Sequence, residues 1–495
     1  MAENITSLIH QLLKEIGPGR MSTTAYDTSW IARLGEIDWE LSSQALNWVC
    51  ENQLPDGSWG ASEPFYYHDR FVSTLAAMIA LTYRGKRSLD RKQIKRGLLA
   101  LEKIVASANQ GLQANYNGAT VGFELIAPTL VAEAEKLGII RKQSNNILSQ
   151  LNHLRKVKMA KFAGQKINRQ ITPAFSAEMT GRDMLDMLDI DNLQEANGSV
   201  GNSPAATAHF ALYPRPGDPQ ALAYLHDAVR EGGAPFAIPF DVFERSWVLW
   251  NISLPAPLDN ETLACCQPHL DFLEKAWRPG SGVSFSISYT PCDGDNTCMT
   301  YEVSGRLGRT LDIETVLKYE EQDHFCCYPL EINSSVSVNV HTLGALRQAG
   351  FGSEHPSVKK VISYLRKTRQ QDKFWLDKWH TSPYYPTAHV VILCQGYDDD
   401  LCRDAINWIL DTQKADGSWG YFNFSTAEET AYCLQALKLW ERMGKKLPPD
   451  KIERGIHWLI QHADLPYPHL WIGKVLYCPE YVIRSAILSA LALTR

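Results

Sequence analysis

Residues able to do acid chemistry are concentrated in one short string, Asp293-Gly294-Asp295-Asn296-Thr297, where two carboxyls stand two positions apart beside an amide. On its own such a string caps a helix or fills a turn. A second acidic run, Tyr397-Asp398-Asp399-Asp400 with Asp404, reads as the negatively charged start of a helix entering Ala405-Ile-Asn-Trp408. Cations gather in Lys156-Val-Lys158-Met-Ala-Lys161-Phe-Ala-Gly-Gln-Lys166-Ile-Asn168-Arg169, as readily a solvated helix face as an anion site. The 11 Cys include the pairs Cys265-Cys266 and Cys326-Cys327 and form no CxxC, so neither a disulfide framework nor a zinc knuckle is encoded. No Asp, Cys and His set has convincing zinc-site spacing.

The elements that must position these groups show in an internal repeat. Gln53-Leu-Pro-Asp56-Gly57-Ser58-Trp59-Gly60 returns as Gln413-Lys-Ala-Asp416-Gly417-Ser418-Trp419-Gly420, with a weaker Gln194-Glu-Ala-Asn197-Gly198-Ser199-Val200-Gly201 between them and a degenerate Lys373-Phe-Trp375-Leu-Asp-Lys-Trp379. Helical stretches flank the turns, as in Ala45-Leu-Asn-Trp48 and Ser425-Thr-Ala-Glu428, the latter read as a capping box. Asp-Gly supplies the bend, the Gln bonds along the turn, and the Trp covers the end of a neighbouring helix. Apolar positions such as Phe71, Leu75, Met78 and Leu81 keep helical period, and convincing strands are few. The reading is all-α. Helical hairpins that each bury one face must stack, and a closed stack is an α-barrel with a central cavity; two such α/α toroids fit the length.

The 495 residues, 45% hydrophobic and 21% charged, are those of an ordinary folded protein. A net charge of −6 without a long basic block argues against nucleic acid as a partner. No apolar run approaches the ~18 residues that span a bilayer. The start, MAENITSLIHQLLKEIG, has helical spacing and reads as neither signal peptide nor membrane anchor, so a cytoplasmic location is expected.

The Q-x-x-D-G-S-W-G turns resemble the QW repeats of triterpene cyclases and class II diterpene cyclases. Thr24-Ala25-Tyr26-Asp27-Thr28-Ser29-Trp30 resembles the latter's SAYDTAW, Phe240-Asp-Val-Phe243-Glu244-Arg245-Ser-Trp247 their PVDLFERIW, and Leu470-Trp471-Ile472-Gly473-Lys474-Val-Leu476-Tyr477 their WIGKTLYR. The resemblance runs from about residue 24 to 485, and among bacterial members it is nearest the halimadienyl (tuberculosinyl) and kolavenyl diphosphate synthase group. It implies a βγ architecture: a β segment at 1–37, an inserted γ barrel at 38–235, and the rest of β at 236–495, with the site between the two barrels.

It also implies roles. Class II cyclases protonate a terminal alkene with a DxDD acid, which makes Asp295 the acid and Asp293 and Asn296 its support. An alkene is a very poor base, so the donor must be neutral and yet strong. Asn296 stands where the family usually has Asp, removing one like charge that would help retain the proton. Aligning Ser335-Val-Ser-Val-Asn339-Val-His341 with the plant motif makes His341 the hydrogen-bond partner of the acid; a protonated His341 would stabilise the Asp295 anion. The plant deprotonating His and Asn pair falls on Ala177 (or Ser176) and Glu231 and is missing, so hydride and methyl shifts to a halimane or clerodane skeleton are expected. Phe285, Tyr289, Trp375 and Tyr477 would face the travelling cation.

For the retained diphosphate the resemblance points to Lys161, Lys166 and Lys474. Mg²⁺ is expected from the family, yet the stretch Ala114-Asn-Tyr-Asn117-Gly-Ala before Thr120-Val121-Gly122-Phe123-Glu124 offers it no carboxylate. Asp398-Asp399-Asp400 has the wrong spacing for a class I DDxxD, and a chain ending at 495 leaves no room for a class I domain. The expected reaction is therefore bicyclisation of geranylgeranyl diphosphate, its product passing to a downstream enzyme. Labdane-type copalyl diphosphate synthesis is the alternative; an α/α-toroid glycoside hydrolase or a helical repeat scaffold explains the helices but not the acid motif.

Overall fold

A computed structural model describes residues 2–85, 87–111, 119–141, 146–160, 164–329, 331 and 333–494. Helices α1 (Ala2–Glu15), α2 (Ala25–Ile31), α3 (Trp39–Glu51), α4 (Tyr67–Arg84), α5 (Ser88–Gly111), α6 (Phe123–Lys136), α7 (Asn146–Ala160), α8 (Pro204–Leu212) and α9 (Pro219–Ala228) form the first part, with a 3-10 segment at Thr172–Thr180. Helices α10 (Asp241–Ser253), α11 (Asn260–Ala276), α12 (Gly294–Arg306), α13 (Ile313–Leu317), α14 (Val336–Gln348), α15 (Pro356–Thr368), α16 (Tyr384–Cys394), α17 (Asp399–Asp411), α18 (Ala427–Arg442), α19 (Pro449–Gln461) and α20 (Glu480–Leu493) form the second. A two-residue antiparallel pair, β1 (Trp471–Ile472) and β2 (Leu476–Tyr477), precedes α20.

Packing closes two rings. In the second, α10, α12, α14, α16, α18 and α20 each touch the next and α20 returns to α10, while α11, α13, α15, α17 and α19, with α1, pack outside. In the first, α2, α4, α6, the 3-10 segment and α8 close the inner circuit and α3, α5, α7 and α9 lie outside it. Helix α2 therefore packs with the first ring, so the expected β segment at 1–37 is divided: α1 goes with the second ring and α2 with the first. The distinction between inner and outer helices is written in burial. Every residue of α16 and all of α14 from Val336 to Leu346 are buried, whereas α19 buries only the stripe Ile452, Gly455, Trp458 and Leu459. Among the described residues no helix is long and apolar enough to cross a membrane.

The repeat joins an outer helix to the next inner one through the same few bonds each time. Trp59 sends its indole N–H to Val49 O at 2.7 Å and Trp419 its own to Ile409 O at 2.7 Å, each sealing the end of the preceding helix. The main-chain N–H at the Trp position donates to a Thr hydroxyl in the following inner helix: Trp59 to Thr74 at 3.0 Å, Val200 to Thr207 at 2.9 Å, Trp375 to Thr387 at 3.1 Å and Trp419 to Thr430 at 3.1 Å. Gln53 and Gln413 bond the turn glycine carbonyls and reach on to Gln93 O and Lys451 O, tying each turn to the next outer helix. Gly57 and Gly417 take φ of 91° and 94°, which a side chain disfavours. The cap of α18 is Thr426 with Glu429, one residue after the expected Ser425 and Glu428; Glu428 turns inward instead.

Between the rings, the β1–β2 hairpin of the second plugs into the first. Lys474 at its tip is fully buried, donating to Glu178 Oε1 and Ser203 Oγ at 2.6 Å each, and Tyr26 donates to the same carboxylate oxygen. Gly473 O receives Val121 N–H at 2.8 Å and Asp69 receives Leu476 N–H at 3.3 Å. Nearby, buried Asp27 accepts from Thr24 Oγ1 and from Ala205 N, linking α2 to α8.

Two outcomes follow from this packing. Trp375→Ala removes a buried indole whose N–H holds Leu365 O, and should cost about 3–5 kcal/mol in denaturant unfolding. Burial pushes the Asp27 carboxyl up to about 7 against the pull of Lys474 and Thr24. The folded state thus holds this proton more tightly than the unfolded chain, whose Asp titrates at about 3.9. That stabilisation is fully present below the unfolded value and is lost as pH rises to about 7. The difference in Tm between the wild type and Asp27→Asn should therefore shift in the variant's favour as pH rises from 4 to 7; parallel curves in a calorimetric scan would contradict it.

Candidate active site

The acid string sits where a degenerate repeat hands over to an inner helix. The turn Gly280-Ser281-Gly282-Val283 makes the repeat's signature bond, Val283 N–H to Thr297 Oγ1 at 3.1 Å, and Asp293 N–H returns to Val283 O at 2.9 Å. The start of α12 is pinned by the same device that pins α18. Gly294 passes under another loop: its N–H meets Cys327 O at 2.8 Å, and a Cβ there would lie 2.3 Å from Cys326 O. Only glycine fits between the two aspartates.

Asp293 caps α12. Its carboxylate accepts the main-chain N–H of Asn296 at 2.7 Å and the Asn296 side-chain N–H at 3.0 and 3.1 Å. Burial pushes the Asp293 carboxyl up to about 7, and the neighbouring Asp295 adds to the rise. Asn296 is thus a donor to Asp293, a role that an Asp in its place could fill only when protonated. Asp295 lies in the first turn of α12, at the positive end of the helix dipole.

His341 stands directly behind. Helix α14 is capped by Ser335 and held by Asp377, which accepts from Ser335, Val336 N and both the N–H and the hydroxyl of Ser337. This fixes His341, fully buried, with Nδ1 at 2.5 Å from Asp295 Oδ1. Among the described residues Asp295 Oδ2 has no hydrogen-bond partner, and Asp295 lines the cavity while His341 does not. A proton on Oδ2 thus faces the cavity. Behind His341 comes His389, Nδ1 at 2.8 Å from His341 Nε2.

The cavity between the rings has a volume of about 1180 Å³, just beyond the ~300–1,000 Å³ usual for small-molecule sites. Phe285, Tyr289 and Tyr477 line it as expected, the first two stacked at 4.4 Å. Phe240, Tyr385 and Trp471 line it too. Phe240 and Trp471 belong to strings singled out in the sequence, but which of their residues would point inward could not be read from spacing. Trp375 does not line the cavity; its indole bonds Leu365 O, as a repeat Trp does.

The predicted cations also part company. Lys474 is spent in the buried pair with Glu178, Lys166 is exposed and outside the cavity wall, and Lys161 lies outside the described residues. Among the described residues the lining cations are Lys158, Arg278, Lys318 and Lys378. Lys158 and Lys378 are paired with Glu124 and Glu331. Arg278 donates to the carbonyls of Thr290 and Tyr289, and exposed Lys318 reaches over Gly280. Ser176 lines the cavity, while Ala177 is buried elsewhere and Glu231 sits in a shallow outer groove beside Trp48. Among the described residues His68 is the one lining histidine, and burial lowers its pKa to about 4, leaving it neutral near pH 7. Among the described residues no three His, Cys, Asp or Glu side chains gather as metal ligands, so these residues do not fit a protein-built Mg²⁺ site. Residues 114–117 lie outside the described residues.

This arrangement presents a carboxyl group, backed by an imidazole, to a large aromatic cavity. Known proteins agree with it. The squalene-hopene cyclase C-terminal domain family matches residues 327–466. A type B diterpene cyclase from Mycobacterium tuberculosis is 50% identical over 479 residues, 96% of each chain. A (+)-kolavenyl diphosphate synthase from Herpetosiphon aurantiacus is 27% identical over 98% of this chain and 96% of its own. The structure of ent-copalyl diphosphate synthase from Streptomyces platensis superposes with a TM-score of 0.80 at 27% identity, covering 99% of both chains. With an acid helix set in a QW-type turn, two joined rings and half its residues shared across nearly its whole length with a known cyclase, the chain belongs to the class II diterpene cyclases.

Proposed function

We propose that the substrate is geranylgeranyl diphosphate and that the product is a bicyclic diphosphate of the clerodane or halimane type. The observation that carries this is Asp295 Oδ2, unpartnered and facing an aromatic cavity, with His341 on the other oxygen. The Oδ2–H bond breaks as the terminal alkene's π pair forms a new C–H bond. The tertiary cation is captured by the second alkene and that cation by the third, closing two rings. No water is needed, and the aromatic faces of Phe285, Tyr289, Trp471 and Tyr477 offer negative potential to the moving charge without a nucleophile to trap it.

The skeleton is supported by the name of one relative, the (+)-kolavenyl diphosphate synthase, and by the wall itself. Neither Ser176, Ala177 nor Glu231 rebuilds the plant His and Asn dyad, so the first bicyclic cation has no positioned water to deprotonate it there. Arg278 and Lys318 are the cations best placed for the retained diphosphate, because Lys158 and Lys378 already face carboxylates. Mg²⁺ remains a companion of the diphosphate in this reading, since such an ion takes most of its ligands from phosphate and water. The eleven unpaired thiols support a reducing, cytoplasmic location, and a diphosphate kept intact calls for a downstream enzyme that ionises or hydrolyses it.

Purified protein incubated with geranylgeranyl diphosphate and then phosphatase should give a bicyclic alcohol by gas chromatography with mass detection; recovery of unchanged geranylgeraniol would overturn the substrate. Asp295→Asn should lower turnover by at least about 10²-fold at unchanged circular dichroism. Lys318→Ala should raise KM about tenfold with little change in kcat, and an unchanged KM would remove it from the diphosphate site.

A further inference from the structure

Behind the acid lies a second imidazole that the mechanism above does not use. His389, on α16, is 1% exposed and lies 48 residues from His341 in the chain, yet its Nδ1 is 2.8 Å from His341 Nε2. Its other nitrogen, Nε2, is buried with no hydrogen-bond partner among the described residues. Its ring lies nearly parallel to Trp250, 28° apart with centroids at 4.7 Å. Tyr385 and Tyr432 close round it from α16 and α18.

These contacts decide where the protons sit. Of the two nitrogens in the His341–His389 bond, one must donate and the other accept. If His341 Nε2 donated, His389 would carry its own proton on Nε2, a buried N–H with no acceptor. The stacked geometry directs that N–H along the Trp250 ring and not at its face. If His389 Nδ1 donates, Nε2 is left with only a lone pair, which is the smaller loss for a buried group. Burial together with the facing His341 and His380 also holds the His389 pKa well below the ordinary value, so it enters the bond neutral.

We propose that His389 is a positioning residue that fixes His341 as a neutral imidazole protonated on Nδ1, so that His341 donates to Asp295 Oδ1 and the acid's proton is held on Oδ2. The inference rests on Asp295 being the acid in the reading above. It corrects the expectation that a charged His341 stabilises the anion. A cation there would hold Asp295 as a carboxylate before the alkene arrived, and the acid would be lost. With His341 neutral, the bond leaves Asp295 its proton and strengthens once Oδ2–H has passed to the alkene carbon, when both electrons of that bond stay on the carboxylate. Donation from His389 polarises His341 in the direction that helps. No proton leaves either imidazole; loss of a proton from the final cation to the carboxylate, directly or through solvent, restores the acid.

The test compares His389→Phe, which fills the space without a donor, with His389→Asn, whose side-chain N–H falls near the position of Nδ1. His389→Phe should lower kcat by about 10²-fold with KM for geranylgeranyl diphosphate unchanged, and His389→Asn should recover most of that loss. Wild-type kcat in His389→Phe, or equal loss in both variants at wild-type Tm, overturns the proposal. Nitrogen NMR of the wild type labelled at histidine, with the His341 signals identified by their loss in His341→Gln, should show Nδ1 protonated and Nε2 bare; a doubly protonated His341 also overturns it. Should the wild type leave geranylgeranyl diphosphate untouched, the substrate reading fails, while the NMR result still decides the tautomer.

Discussion

A carboxylic acid can protonate an alkene only if its proton has no better destination, and this constraint orders the rest of the molecule. In water the proton would pass to solvent and the carboxylate would persist. Asp295 escapes this because it is 8% exposed, opening only into a cavity walled by aromatic rings, and because the groups around it favour the anion only after transfer. The α12 N-terminus and His341 both lower the energy of the carboxylate. Asp293 opposes them: a carboxyl pushed up to about 7 by burial, with Asp295 as a further cause, means the two charges resist one another. Holding the proton and releasing it strongly are thus assigned to different neighbours of one side chain.

Dryness in turn requires that two barrels meet without a gap. The β1–β2 hairpin achieves this by carrying Lys474 into the first ring, where Glu178 and Ser203 receive it. A buried ion pair of this kind contributes little net stability, because desolvation offsets most of the attraction. Its effect is on register: a lysine with one acceptor set leaves the hairpin one place to dock, and Trp471 and Tyr477 on either side of the tip are then held against the cavity. The lysine that family likeness suggests for the diphosphate acts instead on the shape of the wall.

How far the sequence discloses this depends on the kind of interaction. The turns at Trp59 and Trp419 are legible because one local string does everything, and the Asp293–Thr297 string is legible because it is contiguous. His341 is legible only by alignment, since its meaning lies 46 residues away in Asp295. His389 is not legible at all: Tyr384–Cys394 is buried throughout, and a histidine in such a helix looks like any buried side chain until its neighbour is seen. Trp375 shows the opposite limit, for a Trp in a degenerate repeat could face the axis or seal a helix end, and only the bond to Leu365 O decides. The position of α2 was hidden for the same reason, because a short helix joins whichever ring buries it.

The same separation of roles explains how a diphosphate can survive next to a strong acid. A cleaved diphosphate needs metal and cations converging on its bridging oxygen, whereas among the described residues most cations lining this cavity already have partners. Two are balanced by Glu124 and Glu331, and Arg278 gives part of its N–H set to main-chain carbonyls. Net positive charge left over for an anion is therefore modest, enough to hold it and too little to pull it from its carbon. The wall thus divides its work between cations that hold an anion and aromatic rings, Phe285, Tyr289, Trp471 and Tyr477 among them, that accept a carbocation generated at Asp295.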